Sequence, residues 1–161
     1  MVAEDGTNFS GSDVIHKRKT YTISMQDVRN ITANGRTLAI IGKRPKIDGI
    51  KFITEPHDAF QVGIMERPKG YTVKPHHHPD RPITLTSVSE FFFVESGRVR
   101  LTVFDDAWNE IAREEIAAGE FALILSGGHG VEFLEDTRMH EVKQGPYPGD
   151  SASKEFLKVI A

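Results

Sequence analysis

Short β-prone runs, each closed off by a cluster of Gly, Pro, Asp, Asn or Ser, recur along nearly the whole chain, and that rhythm limits the folds open to it. The runs are "TYTIS", "TLAIIG", "IKFIT", "FQVGIM", "YTVKPHH", "EFFFVE", "VRLTVF", "EIAREEIA", "FALIL", "GVEFLE" and "RMHEVK". Between them lie "GKRPKIDG", "ERPKG", "ESGR", "FDDAWNE", "AAGE", "SGGHG" and "LEDT". About ten strands at this spacing predict an all-β protein, an antiparallel sandwich or barrel. Two segments have helical character: "MQDVRNIT" behind Ser24 as an N-cap, and the terminal "SASKEFLKVIA". Residues 1–19, rich in Gly, Ser, Asp and Asn, read as a flexible lead-in, and residues 20–161 as a single domain. A chain of 161 residues has room for one sizeable core and not for two.

Composition narrows the function classes. Hydrophobic residues make up 39% and charged residues 27%, the balance of a globular domain. No stretch approaches the ~18 to 20 consecutive apolar residues of a membrane helix, and the N-terminus lacks the apolar centre of a secretory signal, so a cytoplasmic protein without a membrane partner is expected. Cysteine is absent, so any bound metal is held by nitrogen and oxygen and no thiol serves as a nucleophile. The net charge of -3 conceals an asymmetry. Lys17, Arg18, Lys19, Arg29, Arg36, Lys43, Arg44, Lys46 and Lys51 crowd the first third, and acidic residues crowd 105–120. The basic residues have no aromatic interleaving and match no nucleic-acid motif, so they read as a solvated face and no nucleic-acid partner is expected.

The chemistry gathers around "KPHHHPDRP", an internal run of three of the chain's 7 histidines. If "YTVKPHHHP" is a strand, His76 and His78 share one face and His77 points away. In "EFFFVE" the same alternation sets Glu90 with Phe92 and Val94 on one face, and Phe91 with Phe93 on the other. A carboxylate opening so apolar a strand needs a partner, because burying it alone costs several kcal/mol. His129 follows the glycine-rich turn "LSGGHG". Three imidazoles and one carboxylate are a donor set suited to one divalent metal ion: Fe, Mn, Ni or Zn.

The spacing resembles the cupin superfamily, the RmlC-like jelly-roll barrels. Gly70 is followed after five residues by His76 and His78, and Glu90 after six by Gly97; Gly119 precedes "LSGGH". The resemblance spans roughly residues 60–142 and implies a cupin β-barrel with His76, His78, Glu90 and His129 as metal ligands. Two departures stand out: the gap from His78 to Glu90 is longer than the family pattern, and Leu125 replaces a proline while His129 arrives one residue early. His140 in "RMHEVK" is the nearest substitute, although alternation lets only His140, or Met139 with Glu141, face inward. Glu141, Lys143, Gly145, Pro146 and Tyr147 match a short run of the WbuC-type cupins, small metalloproteins encoded near polysaccharide-synthesis functions.

That resemblance implies a metal-binding protein that binds or acts on a small polar molecule, sugar-related, as an isomerase or epimerase. The alternatives are an iron-dependent dioxygenase and a non-catalytic binding module; fold alone does not choose among them. Glu141, His140 and Tyr147 are the catalytic candidates, and Lys74, Arg67 and Arg81 the ligand-binding ones. The insert "PDRPITLTSVS" is expected to border the cavity. A homodimer is expected, with "TYTIS" and "TLAII" as the edge strands that pair.

Overall fold

The computed structural model describes residues 27–158. The lead-in, the "TYTIS" run and the last three residues of the terminal helix candidate lie outside them. The described chain is almost entirely β, as its rhythm predicts. Its strands are β1 (Val28–Ala33), β2 (Arg36–Gly42), β3 (Gly49–Phe52), β4 (Gly63–Glu66), β5 (Glu90–Ser96), β6 (Arg98–Phe104), β7 (Glu110–Ala117), β8 (Phe121–Ile124), β9 (Gly128–Phe133) and β10 (Arg138–Lys143). One short helix, α1 (Asp150–Ser153), follows.

Three antiparallel sheets result: a five-stranded sheet ordered β1-β2-β8-β5-β10, a three-stranded sheet ordered β7-β6-β9, and the separate β3-β4 hairpin. They do not close into a barrel. The five- and three-stranded sheets pack face to face over a core that includes Ile41, Phe92, Val94, Val99, Leu101, Val103 and Ile124. On the other face of the large sheet, Ile40, Leu123 and Leu125 meet Ile53, Phe60 and Val62 from the hairpin side. This explains the two unbroken apolar runs. Strands β2 and β8 are central and covered on both faces, so every residue of β8 is buried, whereas β6, covered on one face, alternates. "TLAII" is therefore an interior strand and has no free edge to offer a second copy.

The helix expected at "MQDVRNIT" is instead β1 over residues 28–33. Its successor Asn34-Gly35 has φ of 53° and 74°, the pair of positive values of a two-residue hairpin turn, and it folds β1 back onto β2. That hairpin outweighs the N-cap signal of Ser24 that suggested a helix. The C-terminal helix is confined to Asp150–Ser153.

The charge asymmetry is internal complementarity. Arg29 pairs with Glu114, Arg36 with Asp106 at 3.0 Å, and Lys43 with Glu120 at 2.8 Å, joining the β1-β2 end of the large sheet to β7 and its turns. Three basic residues of the first third thus answer the acidic 105–120 stretch across the sandwich.

One long segment belongs to neither layer. Residues 67–89 contain no strand, and every residue over 65–88 is exposed, including Tyr71, Val73, Ile83, Leu85 and Val88. The expected strand "YTVKPHH" is absent from this arm. Alternation supplies a strand's side-chain pattern but not its hydrogen-bond partner, and Pro75 removes one donor besides.

Candidate functional site

Glu90 opens β5 on the face that carries Phe92 and Val94, as the alternation of "EFFFVE" requires. Its side chain is 16% exposed, and an imidazole and an ammonium answer it: His129 Nε2 lies 3.1 Å from Oε2, and Lys143 Nζ lies 3.7 Å from Oε1. The His129 hydrogen bond holds the Glu90 carboxyl below its ordinary pKa against the opposing push of burial, with His129, Lys143 and Lys154 adding charge attraction. Glu90 is consequently an ionised acceptor at neutral pH.

His129 reaches Glu90 because of the turn before it. Gly127 has φ of +75°, and a Cβ there would stand 2.3 Å from the Phe104 carbonyl oxygen; a Cβ on Gly128 would stand 2.7 Å from the Trp108 ring. Only glycines let β9 pass so close to the β6-β7 turn. That turn is held by Asp105, whose Oδ1 accepts from the Ala107 and Asn109 amides at 2.9 Å each. Trp108 sits in it at φ of 64°, a left-handed conformation uncommon for so large a residue.

Strand β10 completes the wall. Its register sets Lys143 opposite Glu90, Glu141 opposite Phe92 and Met139 opposite Val94, so these three share the Glu90 face. Lys143 Nζ also contacts Glu141 Oε1 at 2.6 Å and lies 4.9 Å from the centre of the Tyr147 ring. The Glu141 contact raises the Lys143 pKa. His140 lies opposite Phe93 on the reverse face and contacts Glu95 Oε2 at 2.5 Å. Of the three catalytic candidates, Glu141 and Tyr147 thus stand beside Lys143, and His140 is on the far side of the sheet.

The arm holds the remaining candidates. His76 and His78 sit together, their ring centroids 5.2 Å apart, and His76 Nδ1 contacts the Lys74 carbonyl at 2.9 Å. Both rings are exposed, as are Lys74, Arg67 and Arg81; Arg67 stacks over Tyr71 at 4.6 Å. Among the described residues no group of three or more His, Asp or Glu gathers closely enough to hold a metal ion. In an octahedral site, bonds of about 2.1 Å at a right angle separate two ligand atoms by about 3.0 Å, and the hydrogen-bonded Glu90 and His129 are 3.1 Å apart. As arranged, then, the four-donor set does not fit a metal. Two donors stand at the spacing of neighbouring ligands, and two are elsewhere.

Glu90 and His129, but no residue of β10, face a cleft of about 960 Å³, at the upper end of the ~300 to 1,000 Å³ usual for small-molecule sites. Glu90, His129, Trp108, Ile124 and Val131 line it, with Val88 from the arm and Ser153 to Leu157 from the C-terminal segment. The insert 79–89 borders the cleft only at Val88; Arg81 does not line it. Three participants escaped the sequence reading. Lys143 could have been found by alternation from Glu141, whereas Trp108 and the C-terminal segment are brought in by tertiary folding. Comparison with protein-family models, with curated proteins and with solved structures finds no match.

Proposed function

We propose that the chain binds a small polar molecule in the cleft, held by Glu90 and His129, with Lys143 bracing the Glu90 carboxylate from outside the lining. The observation that carries this is the Glu90 carboxylate and His129 imidazole, 3.1 Å apart in the lining of a cleft that also presents Trp108, Ile124 and Val131, with Lys143 3.7 Å behind the carboxylate. Such a lining orients a ligand through a few polar groups and excludes water from the rest. A sugar derivative matches it: hydroxyls for Glu90 and His129, and an apolar ring face for Trp108. An isomerase or epimerase, which needs an acid and a base beside one substrate, is the activity we propose, with His129 and Glu90 as the pair in the cleft.

The 3.1 Å spacing of Glu90 and His129 favours a second reading, a cupin-type metalloprotein in which the same wall contributes two ligands of a divalent ion. An iron-dependent oxygenase and a non-catalytic module are the remaining forms of that reading. Soluble homodimer formation is proposed with it, through the exposed apolar residues Ile50, Phe52 and Met65 of the β3-β4 hairpin.

Calorimetric titration with a panel of sugars and sugar phosphates, followed by MnCl2 and ZnCl2, tests both readings. Saturable binding that Glu90→Gln and Lys143→Ala each weaken supports the cleft; binding unchanged in both variants overturns it. Stoichiometric metal uptake lost in His129→Ala supports the second reading.

A further inference from the structure

Strand β5 begins at Glu90, and the residue before it marks a sharp boundary. Val88 is exposed with the rest of the arm, whereas Ser89 is 0% exposed. Parity sets Ser89 with Phe91, on the outer face of the large sheet and away from the cleft. Phe91 packs there against Ile40, Leu123 and Leu125. Ser89 is thus a polar residue buried at the margin of an apolar cluster, back to back with the Glu90 carboxylate.

The β5-β10 ladder ends at the pair Glu90 and Lys143, and the next residue, Gln144, extends it with a side chain: the Ser89 amide donates to Gln144 Oε1 at 2.7 Å. This bond stands in for a further backbone rung and ties down the amide directly before Glu90. It also fixes which way the Gln144 side-chain amide points, since only its oxygen accepts.

Two polar atoms beside that bond remain to be accounted for. Ser89 Oγ and Gln144 Nε2 are both closed off from solvent, and neither meets a hydrogen-bond partner among the described residues. They belong to side chains of residues already joined by one hydrogen bond, so they flank the same spot. Leaving both unmatched would forfeit more stability than the Ser89 bond returns. The Nε2 protons need an acceptor and turn away a cation, while the hydroxyl takes either role. Water is small enough, and two-sided enough, to serve both at once.

We propose that Gln144 is a positioning residue for Glu90, with one internal water joining its Nε2 to Ser89 Oγ. The bond and the water form a latch on the outer face of the sheet. It holds the start of β5 where the exposed arm meets it, so that Glu90 is presented to His129 on the inner face. The latch rests on the proposed function only in that Glu90 there has a ligand to hold.

Ring 1H–15N spectra of the full chain test the positioning. In Gln144→Met, which keeps the length but has no oxygen, the His129 ring signals should shift or broaden because Glu90 is no longer held at 3.1 Å. Those of His140, which shares the latch's face beside Glu95, should stay in place. Gln144→Glu returns an acceptor for the Ser89 amide and should restore the His129 signals. Unmoved His129 signals in Gln144→Met, movement of both histidines alike, or failure of the rescue overturns the positioning role.

Thermal melts test the water. Where it bridges the two groups, Ser89→Ala should lower the melting temperature by about 2–4 °C in the parent chain. The loss should be smaller in Gln144→Met, where the second partner is already gone. A rise in Ser89→Ala, the result for a hydroxyl buried without a partner, overturns the water, as does an equal loss in both backgrounds. If the sugar panel shows no binding while His129 still follows Gln144, the proposed function fails and the latch stands.

Discussion

The wall built by β5, β9 and β10 and the arm over 67–89 carry the same kinds of residue, and the structure treats them in opposite ways. On the wall, Glu90 and His129 are 16% and 25% exposed and fixed by strand register to within 3.1 Å of each other. On the arm, His76 and His78 have a comparable pattern and lie fully in solvent. The difference is in what stands beside each. Strand β5 is paired on both sides, by β8 and β10, so a side chain's face follows from its parity. The arm has no paired neighbour, so parity fixes nothing. A polar pattern becomes a site only where a sheet holds it.

The largest break in that comparison is mechanical. Leu101, 1% exposed at the centre of the sandwich, should lose about 2–5 kcal/mol of stability as Leu101→Ala, since a buried cavity opens. Ile83, 66% exposed on the arm, should change by no more than about 0.5 kcal/mol as Ile83→Ala. Urea denaturation of both variants reads the contrast. A cost of 1 kcal/mol or more at Ile83, on the order of a lost buried contact, would show that the arm is packed in solution.

Glycines sharpen it at intermediate scale. Gly127 and Gly70 both have positive φ, at +75° and +87°, yet a Cβ on Gly127 strikes the Phe104 carbonyl and one on Gly70 meets nothing within 4 Å. Gly127→Ala should therefore cost about 1–3 kcal/mol and displace His129, while Gly70→Ala should cost only the roughly 1 kcal/mol of the backbone preference. Thermal melts give the stabilities, and ligand titration reports whether the wall has moved.

How far these regions could be read in advance follows the same division. Alternation in "EFFFVE" put Glu90 with Phe92 and Val94, and in "RMHEVK" it made His140 an alternative to Met139 and Glu141; β10 takes the second choice. Extending that parity two residues further would have found Lys143. Hairpin chemistry was equally visible in Asn34-Gly35, and giving it more weight than the Ser24 cap would have replaced the helix with β1. The arm's state and the cleft contacts of Trp108 and residues 153–157 depend on neighbours distant in sequence, which local pattern does not encode.

Acid titration separates the wall from the arm by charge. The Glu90 pKa is depressed in the folded chain, first by the His129 hydrogen bond, so its contribution to stability is fully present above the unfolded value of about 4.3 and is lost as pH falls through the lower folded value. Glu90→Gln should remove that portion of the acid-side loss of stability, giving a flatter curve below pH ~4 than the parent chain. Identical acid-side slopes in urea melts would mean that the Glu90 to His129 bond does not persist in solution.

The smallest expected effect is the most discriminating, because it contrasts two histidines on opposite faces of one sheet pair. His129 is half-buried against Glu90 and Phe92, its ring 5.7 Å from that of Phe92, whereas His140 lies on the outer face beside Glu95. Exposed ion pairs contribute about 0 to 1 kcal/mol, so His140→Ala should leave the melting temperature and ligand binding nearly unchanged. His129→Ala removes a donor from the half-buried Glu90 carboxylate, which Lys143 continues to hold at 3.7 Å. It should thus lower stability modestly, by about 1–3 kcal/mol, while weakening binding in the cleft clearly. Equal loss of binding in the two variants would place the ligand outside the cleft, on the exposed ribbon of β5 and β10, and would move the site from the wall to the opposite face.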